Sequence, residues 1–162
     1  QTCALPISKK IEGSEEDHLA INEISILRSG SQAAKLKIVV DNLVRLEELV
    51  CDGALVSTPA GSTAYNYSAH GPILPIDSNI LALTAMAAFR PRRWRGALIP
   101  SNAKIEFFIK DSNKRPVSAY ADSKEVKNIS SVKIESEDDV YYKLLFDKGH
   151  GLQERILREQ FF

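Results

Sequence analysis

Apolar residues recur mostly at every second position, the spacing of strands with one face buried. Ile24, Ile26 and Arg28 alternate with Ser25 and Leu27, which predicts a short strand over residues 21–28. Leu36, Ile38 and Val40 alternate with Lys35, Lys37 and Val39; Asp41-Asn42 then breaks the run and residues 43–46 resume it. That is a hairpin pattern. Residues 52–58 open on a turn and run apolar through Ala54-Leu55-Val56, like a buried strand. Residues 104–110 and 116–121 flank the polar turn 111–115, and residues 131–135 and 140–146 flank a predicted turn at 136–139. Evenly spaced short strands separated by Asp, Asn, Ser and Gly predict a mainly β fold, an antiparallel sandwich or meander.

Helix signals are few. Residues 63–69 come after Pro59-Ala60-Gly61-Ser62 and stop at Gly71-Pro72, and residues 152–160 form an amphipathic terminal stretch with Leu152, Ile156 and Leu157 opposite Arg155 and Arg158. Residues 1–8 do not blend into the adjoining segment, have too few basic residues for a secretory signal, and read as a leader foreign to the rest. Residues 12–17 are acidic and read as loop.

Lys and Arg total 21 and Asp and Glu total 21, so the net charge is zero, which argues against a dedicated nucleic-acid binder. The longest apolar run, 81–89, contains Thr84 and is too short to span a bilayer, so no membrane role is expected. Cys3 and Cys51 give neither metal spacing nor a disulfide framework, which suits a reducing cytoplasm. Cys51 has no basic neighbour to activate it and reads as a buried inert thiol. His18, His70 and His150 show no ligand spacing. The sharpest charge feature is Arg90-Pro91-Arg92-Arg93-Trp94-Arg95, which reads as a solvated loop with Trp94 packed on the core.

The segment 51–72 carries the chemistry: a strand, a hydroxyl-rich turn with Pro59 and Gly61, then a short helix. Gly61 allows close approach to the backbone, and Ser57, Thr58, Ser62 and Thr63 offer hydroxyls to a polar ligand. The plainer alternative is a helix capped by Ser62. No Walker loop and no nucleophile elbow is present.

Asp52-Gly53, the run Ser57-Thr58-Pro59-Ala60-Gly61-Ser62-Thr63-Ala64-Tyr65, Ser68 and Gly71-Pro72 closely resemble the carboxy-terminal domain motif of NAD kinases. Ala20-Ile21-Asn22-Glu23 resembles the family's Asn-Glu strand, and Pro116-Val117-Ser118-Ala119 with Asp122 a later strand and turn. The resemblance runs from about residue 19 to the end, so residues 1–18 stand as an unmatched leader and 19–162 as a β-rich NAD-binding domain. It implies an enzyme that phosphorylates the 2′-hydroxyl of the adenosine ribose of NAD with ATP and a divalent metal, magnesium, to give NADP. The family's Gly-Gly-Asp-Gly motif, which supplies the catalytic Asp, does not occur in this sequence. The resemblance therefore covers the NAD-binding half, and no catalytic residue or metal ligand is expected in this chain, which alone should be inactive.

Carried over residue by residue, the resemblance implies that Asn22 and Glu23 hold the adenosine part of NAD, with Glu23 accepting from paired ribose hydroxyls. Asp52 accepts from the adenine amine or a ribose hydroxyl. Thr63, Ala64 and Tyr65 line the nucleotide, Ser68 faces the same way one turn on, and Asp122 sits in a turn near the site. Ala87 admits the nucleotide of a neighbouring subunit or chain segment, and a homo-oligomer is expected. Val50 and Ser123 depart from the pattern: some relatives carry a basic residue at the first, and relatives often have a larger polar one at the second. Two other functions compete, a non-catalytic β-rich oligomerisation module and a relative that phosphorylates lipids.

Overall fold

The computed structural model describes residues 2–141 and, beyond them, Glu154, Leu157, Arg158, Gln160 and Phe161. Twelve strands run in chain order: β1 (Thr2–Lys10), β2 (Glu15–Asp17), β3 (Glu23–Arg28), β4 (Ala34–Val40), β5 (Leu43–Cys51), β6 (Gly53–Ser57), β7 (Ile80–Met86), β8 (Gly96–Pro100), β9 (Ile105–Ile109), β10 (Val117–Ala121), β11 (Lys124–Val126) and β12 (Ile129–Tyr141). They form two six-stranded sheets, ordered β2-β1-β12-β9-β4-β5 and β11-β10-β3-β6-β7-β8. Every strand pair is antiparallel.

Alternation decides what goes inside. Leu36 and Ile38 of β4 and Ile105, Phe107 and Ile109 of β9 meet Ile24 and Ile26 of β3, Val56 of β6 and Leu83 of β7 in one buried cluster. The sheets thus share a single core, the expected antiparallel sandwich. The predicted hairpin is present: β4 and β5 pair through Val40 and Leu43, and Asp41 (φ 51°) and Asn42 (φ 61°) both occupy the left-handed region that a two-residue hairpin turn requires. Strand β6 is buried along its whole length. Ala54 and Val56 face the shared core, whereas Leu55 and Ser57 point to the opposite face of the sheet. There Thr84 Oγ1 of β7 lies 2.6 Å from Asn66 Oδ1, in the segment connecting β6 to β7.

Three expectations change. Residues 136–139 do not turn: they continue β12, with Ser136 opposite Ala4 and Glu137 opposite Cys3 on β1. Backbone pairing with β1 holds them extended, and the Ser136 hydroxyl also donates to the Ser101 carbonyl at 2.6 Å. Residues 2–10 supply that partner strand, and part of the acidic loop 12–17 pairs as β2. The stretch 63–69 is not one helix but a 3-10 turn (Ala60–Thr63) followed by helix α1 (Tyr65–Ser68), broken at Ala64 (φ −92°, ψ −126°). The predicted strand residues 142–146 lie outside the described residues. Of the terminal stretch 152–160, Glu154, Leu157, Arg158 and Gln160 are helical, with Leu157 exposed; Ile156 and the others lie outside the described residues. No helix among the described residues is long and apolar enough to cross a membrane.

Candidate functional site

Three segments distant in sequence meet at one end of β3. The carboxylate of Asp122, in the turn between β10 and β11, accepts from the backbone N–H groups of Ile21 (2.7 Å), Asn22 (3.0 Å) and Glu23 (3.2 Å). In return its own N–H donates to the Glu23 carbonyl at 3.1 Å. Both carboxylate oxygens are thereby committed to the backbone, so Asp122 fixes the residues that carry Asn22 and Glu23.

The loop after β6 is tied to the same three residues from the other side. Thr58 N–H donates to the Asn22 carbonyl at 2.9 Å. The Thr58 hydroxyl donates to the Ile21 carbonyl at 2.6 Å and accepts from Gly61 N–H at 3.1 Å. Gly61 packs so closely that a Cβ there would stand 2.1 Å from the Asn22 carbonyl oxygen. Its lack of a side chain serves this backbone contact rather than the approach of a ligand. Ser62 does not cap the helix: its hydroxyl donates to the Pro59 carbonyl at 2.7 Å and accepts from Leu74 N–H at 3.0 Å. Ser57, Thr58 and Ser62 are fully buried, so of the four hydroxyls offered by the sequence only Thr63 remains partly accessible.

Asn66 was not singled out by sequence reasoning, yet it organises the loop. It is fully buried, and its amide donates to the Ser62 (3.2 Å) and Pro72 (2.8 Å) carbonyls while Thr84 Oγ1 meets its oxygen. A Cβ at Gly71 would fall 2.0 Å from that same oxygen. Its neighbours Tyr65, Tyr67 and Ser68 are exposed while Asn66 is not, a contrast that the sequence does not show.

Glu23 differs from its neighbours. Its Oε2 is buried and has no hydrogen-bond partner. Burial, reinforced by the Asp122 carboxylate, pushes its pKa up to about 7, while a backbone hydrogen bond from Tyr65 pulls the other way. The backbone of Tyr65 therefore brings helix α1 against Glu23, and the Tyr65 side chain is exposed beside it. Asn22, half-buried, completes the group.

Asp52 and Ala87 lie elsewhere. Asp52 is at the other end of β6 from Ser57, roughly 16 Å away at about 3.3 Å per residue. Its carboxylate accepts from Arg28 Nε at 2.6 Å, and its N–H donates to the Met86 carbonyl at 3.0 Å, which sets it beside exposed Ala87 (φ 48°). Cys51 next to it is buried, and burial pushes its thiol up to about 12, as suits an inert residue.

Residues 21–138 match the ATP-NAD kinase C-terminal domain. The chain belongs to the ATP-NAD kinase family. It is 65% identical over 143 residues to an NAD kinase of Cereibacter sphaeroides, a match covering 88% of this chain and 56% of that protein. An NAD kinase of Hyphomonas neptunium is 58% identical over 151 residues, covering 93% of this chain and 59% of the relative. The chain thus spans just over half the length of these curated ATP-NAD kinase relatives. Among solved structures, yeast NADH kinase complexed with NADH superposes with a TM-score of 0.76 at 25% identity, covering 85% of this chain and 40% of that one. The NAD kinase from Archaeoglobus fulgidus in complex with ATP gives 0.69 at 26% identity, covering 85% and 52%.

Proposed function

We propose that residues 19–162 are the NAD-binding half of an enzyme that transfers phosphate from ATP to the 2′-hydroxyl of the adenosine ribose of NAD, yielding NADP in the cytoplasm. The observation that carries this reading is the Glu23 carboxyl, which has one buried oxygen without a partner on a backbone held by Asp122 and Thr58. A vicinal ribose diol offers two O–H donors to one carboxylate, supplying what Oε2 lacks. In this reading Tyr65 offers its ring to the base, and Asn22, Thr63, Ala64 and Ser68 are the further contacts that the family resemblance implies. Asp122 acts through the backbone of residues 21–23 and is a positioning residue in this scheme.

Asp52 and Ala87, at the far end of β6 and β7, serve a nucleotide held by a neighbouring copy, which makes a homo-oligomer part of the proposal. Among the described residues no group of three or more His, Cys, Asp or Glu side chains comes together, and both oxygens of Asp122 are engaged by amides. These side chains do not fit a divalent metal.

The test is calorimetric titration of NADP into the chain at pH 8. The Glu23→Gln variant keeps the size and loses the charge-assisted acceptor, worth about 1.5–3 kcal/mol. Its dissociation constant should rise about 10- to 100-fold. Equal affinity for parent and variant removes Glu23 from the nucleotide and refutes the reading.

A further inference from the structure

Between Asp77 and Glu106 the chain carries no carboxylate but four of its nine arginines, all within residues 90–95, and Lys104. Most other cations in the described residues behave differently. Lys10, Lys35, Lys37, Lys104, Lys110, Lys127, Lys133, Arg28 and Arg158 each pair with a carboxylate. Arg90, Arg92, Arg93 and Arg95 are all exposed, and none has a carboxylate partner among the described residues.

The loop that carries them is built, not slack. At its start Val50 N–H donates to the Arg90 carbonyl at 2.8 Å and Phe89 N–H to the Val50 carbonyl at 2.7 Å. At its end Ala85 N–H donates to the Arg95 carbonyl at 2.8 Å, and Trp94 packs against the shared core. Trp94 N–H closes a turn onto the Pro91 carbonyl at 3.3 Å, which leaves Arg92 and Arg93 at its tip. Arg93 has φ 69°, a conformation glycine adopts more readily. An arginine thus stands where the backbone favours a residue without a side chain. The Arg90 guanidinium lies 5.7 Å from the Phe89 ring centroid, a stacking contact that orients it.

We propose that this turn, through Arg90, Arg92 and Arg93, binds the phosphate groups of a nucleotide. Guanidinium groups bind phosphate oxygens with paired, directional hydrogen bonds, which an ammonium cannot reproduce. Three guanidinium groups close together in sequence with no carboxylate to neutralise them are complementary to a multiply charged anion. The site lies beside Ala87 and stands apart from the Glu23 cluster. It needs phosphate and no ribose.

Trp94 is the chain's only tryptophan, so intrinsic fluorescence reports on this turn directly. Inorganic pyrophosphate titrated into the chain should change Trp94 emission saturably, and NADP and ATP should compete with it. The Arg90→Gln, Arg92→Gln, Arg93→Gln triple variant should bind pyrophosphate at least tenfold more weakly. The corresponding triple Lys variant, which keeps the charge and loses the fork, should fall between the two. Glu23→Gln should bind pyrophosphate like the parent, so that a failure of the dinucleotide reading and a failure of this one give different results. Sodium chloride at matched ionic strength reproducing the emission change would overturn the proposal, as would a triple Gln variant that titrates like the parent. A random oligoribonucleotide that binds more tightly per phosphate than pyrophosphate and NADP would reassign the turn to nucleic acid and refute the nucleotide assignment.

Discussion

Replacing Glu23 by Gln should make the free chain more stable, and only at neutral and higher pH. In the folded chain the Glu23 carboxyl has a pKa of about 7, against an ordinary value of 4.5. The neutral acid is the form that the buried site tolerates. Below pH 4.5 the group is protonated whether the chain is folded or not, and it carries no penalty. Between 4.5 and about 7 the unfolded chain releases the proton and the folded chain holds it, so stability falls as pH rises. Above about 7 both states are ionised and the penalty is constant. At about 1.4 kcal/mol per pH unit this interval amounts to about 3 kcal/mol, and partial solvent access reduces it to about 1–3 kcal/mol. Glutamine accepts the same backbone hydrogen bond from Tyr65 without the charge. For a chain of this size each kcal/mol moves Tm by about 2–4 °C, so the variant should melt roughly 2–10 °C above the parent at pH 8. The difference should shrink towards zero near pH 4.5. Thermal unfolding by circular dichroism at half-unit pH steps measures this. A difference that does not depend on pH, or a variant less stable than the parent at pH 8, refutes the assignment of a buried, strained charge at Glu23.

Gly61→Ala should cost about 3 kcal/mol or more in urea unfolding, because the added methyl meets the Asn22 carbonyl rather than a movable side chain. Asp122→Asn removes a charged acceptor from three amides and should destabilise the chain by about 2–3 kcal/mol. Removing the neighbouring charge should also bring the Glu23 titration midpoint, read by carboxyl carbon NMR, below the parent's value of about 7. The chain alone should form no NADP from NAD and Mg-ATP, whereas supplying an upstream Gly-Gly-Asp-Gly domain should restore turnover; equal rates without that domain would place the base in this chain. Loss of a general base typically costs about 10²- to 10⁴-fold.

Strands with one wet face were legible because alternation survives in them: Leu36 and Ile38 against Lys35 and Lys37 mark β4 directly. Strand β7 was read only as an apolar run, because Leu81–Ala85 is buried on both faces and alternation disappears. Strand β11 has three residues, too few to establish a period, and β8 buries only Ile99, so no alternation shows there. The run 136–139 misled because Ser, Glu and Asp signal turns only where no partner strand claims their backbone, and β1 does. At the site, the motif order showed which segments matter but not what each hydroxyl does. Thr58 and Ser62 look like ligand contacts in one dimension and prove to be internal ties. The contact of Asp122 with Ile21 spans 101 residues, and no local pattern encodes a distance of that kind. The separation of Asp52 from Glu23 likewise results from β6 running straight between them.

That long span has a consequence for the chain as it is made. Glu23 leaves the ribosome about 100 residues before the aspartate that clamps it. At typical synthesis rates of about 5–20 residues per second, the interval is roughly 5–20 s. During that time Glu23 is an ordinary exposed acid, and β3 has neither the Asp122 clamp nor its β10 partner. The Asp122 clamp on residues 21–23 therefore cannot direct the early folding of β3. The clamp closes only once the second half of the sandwich has emerged, so this corner of the fold forms late in synthesis.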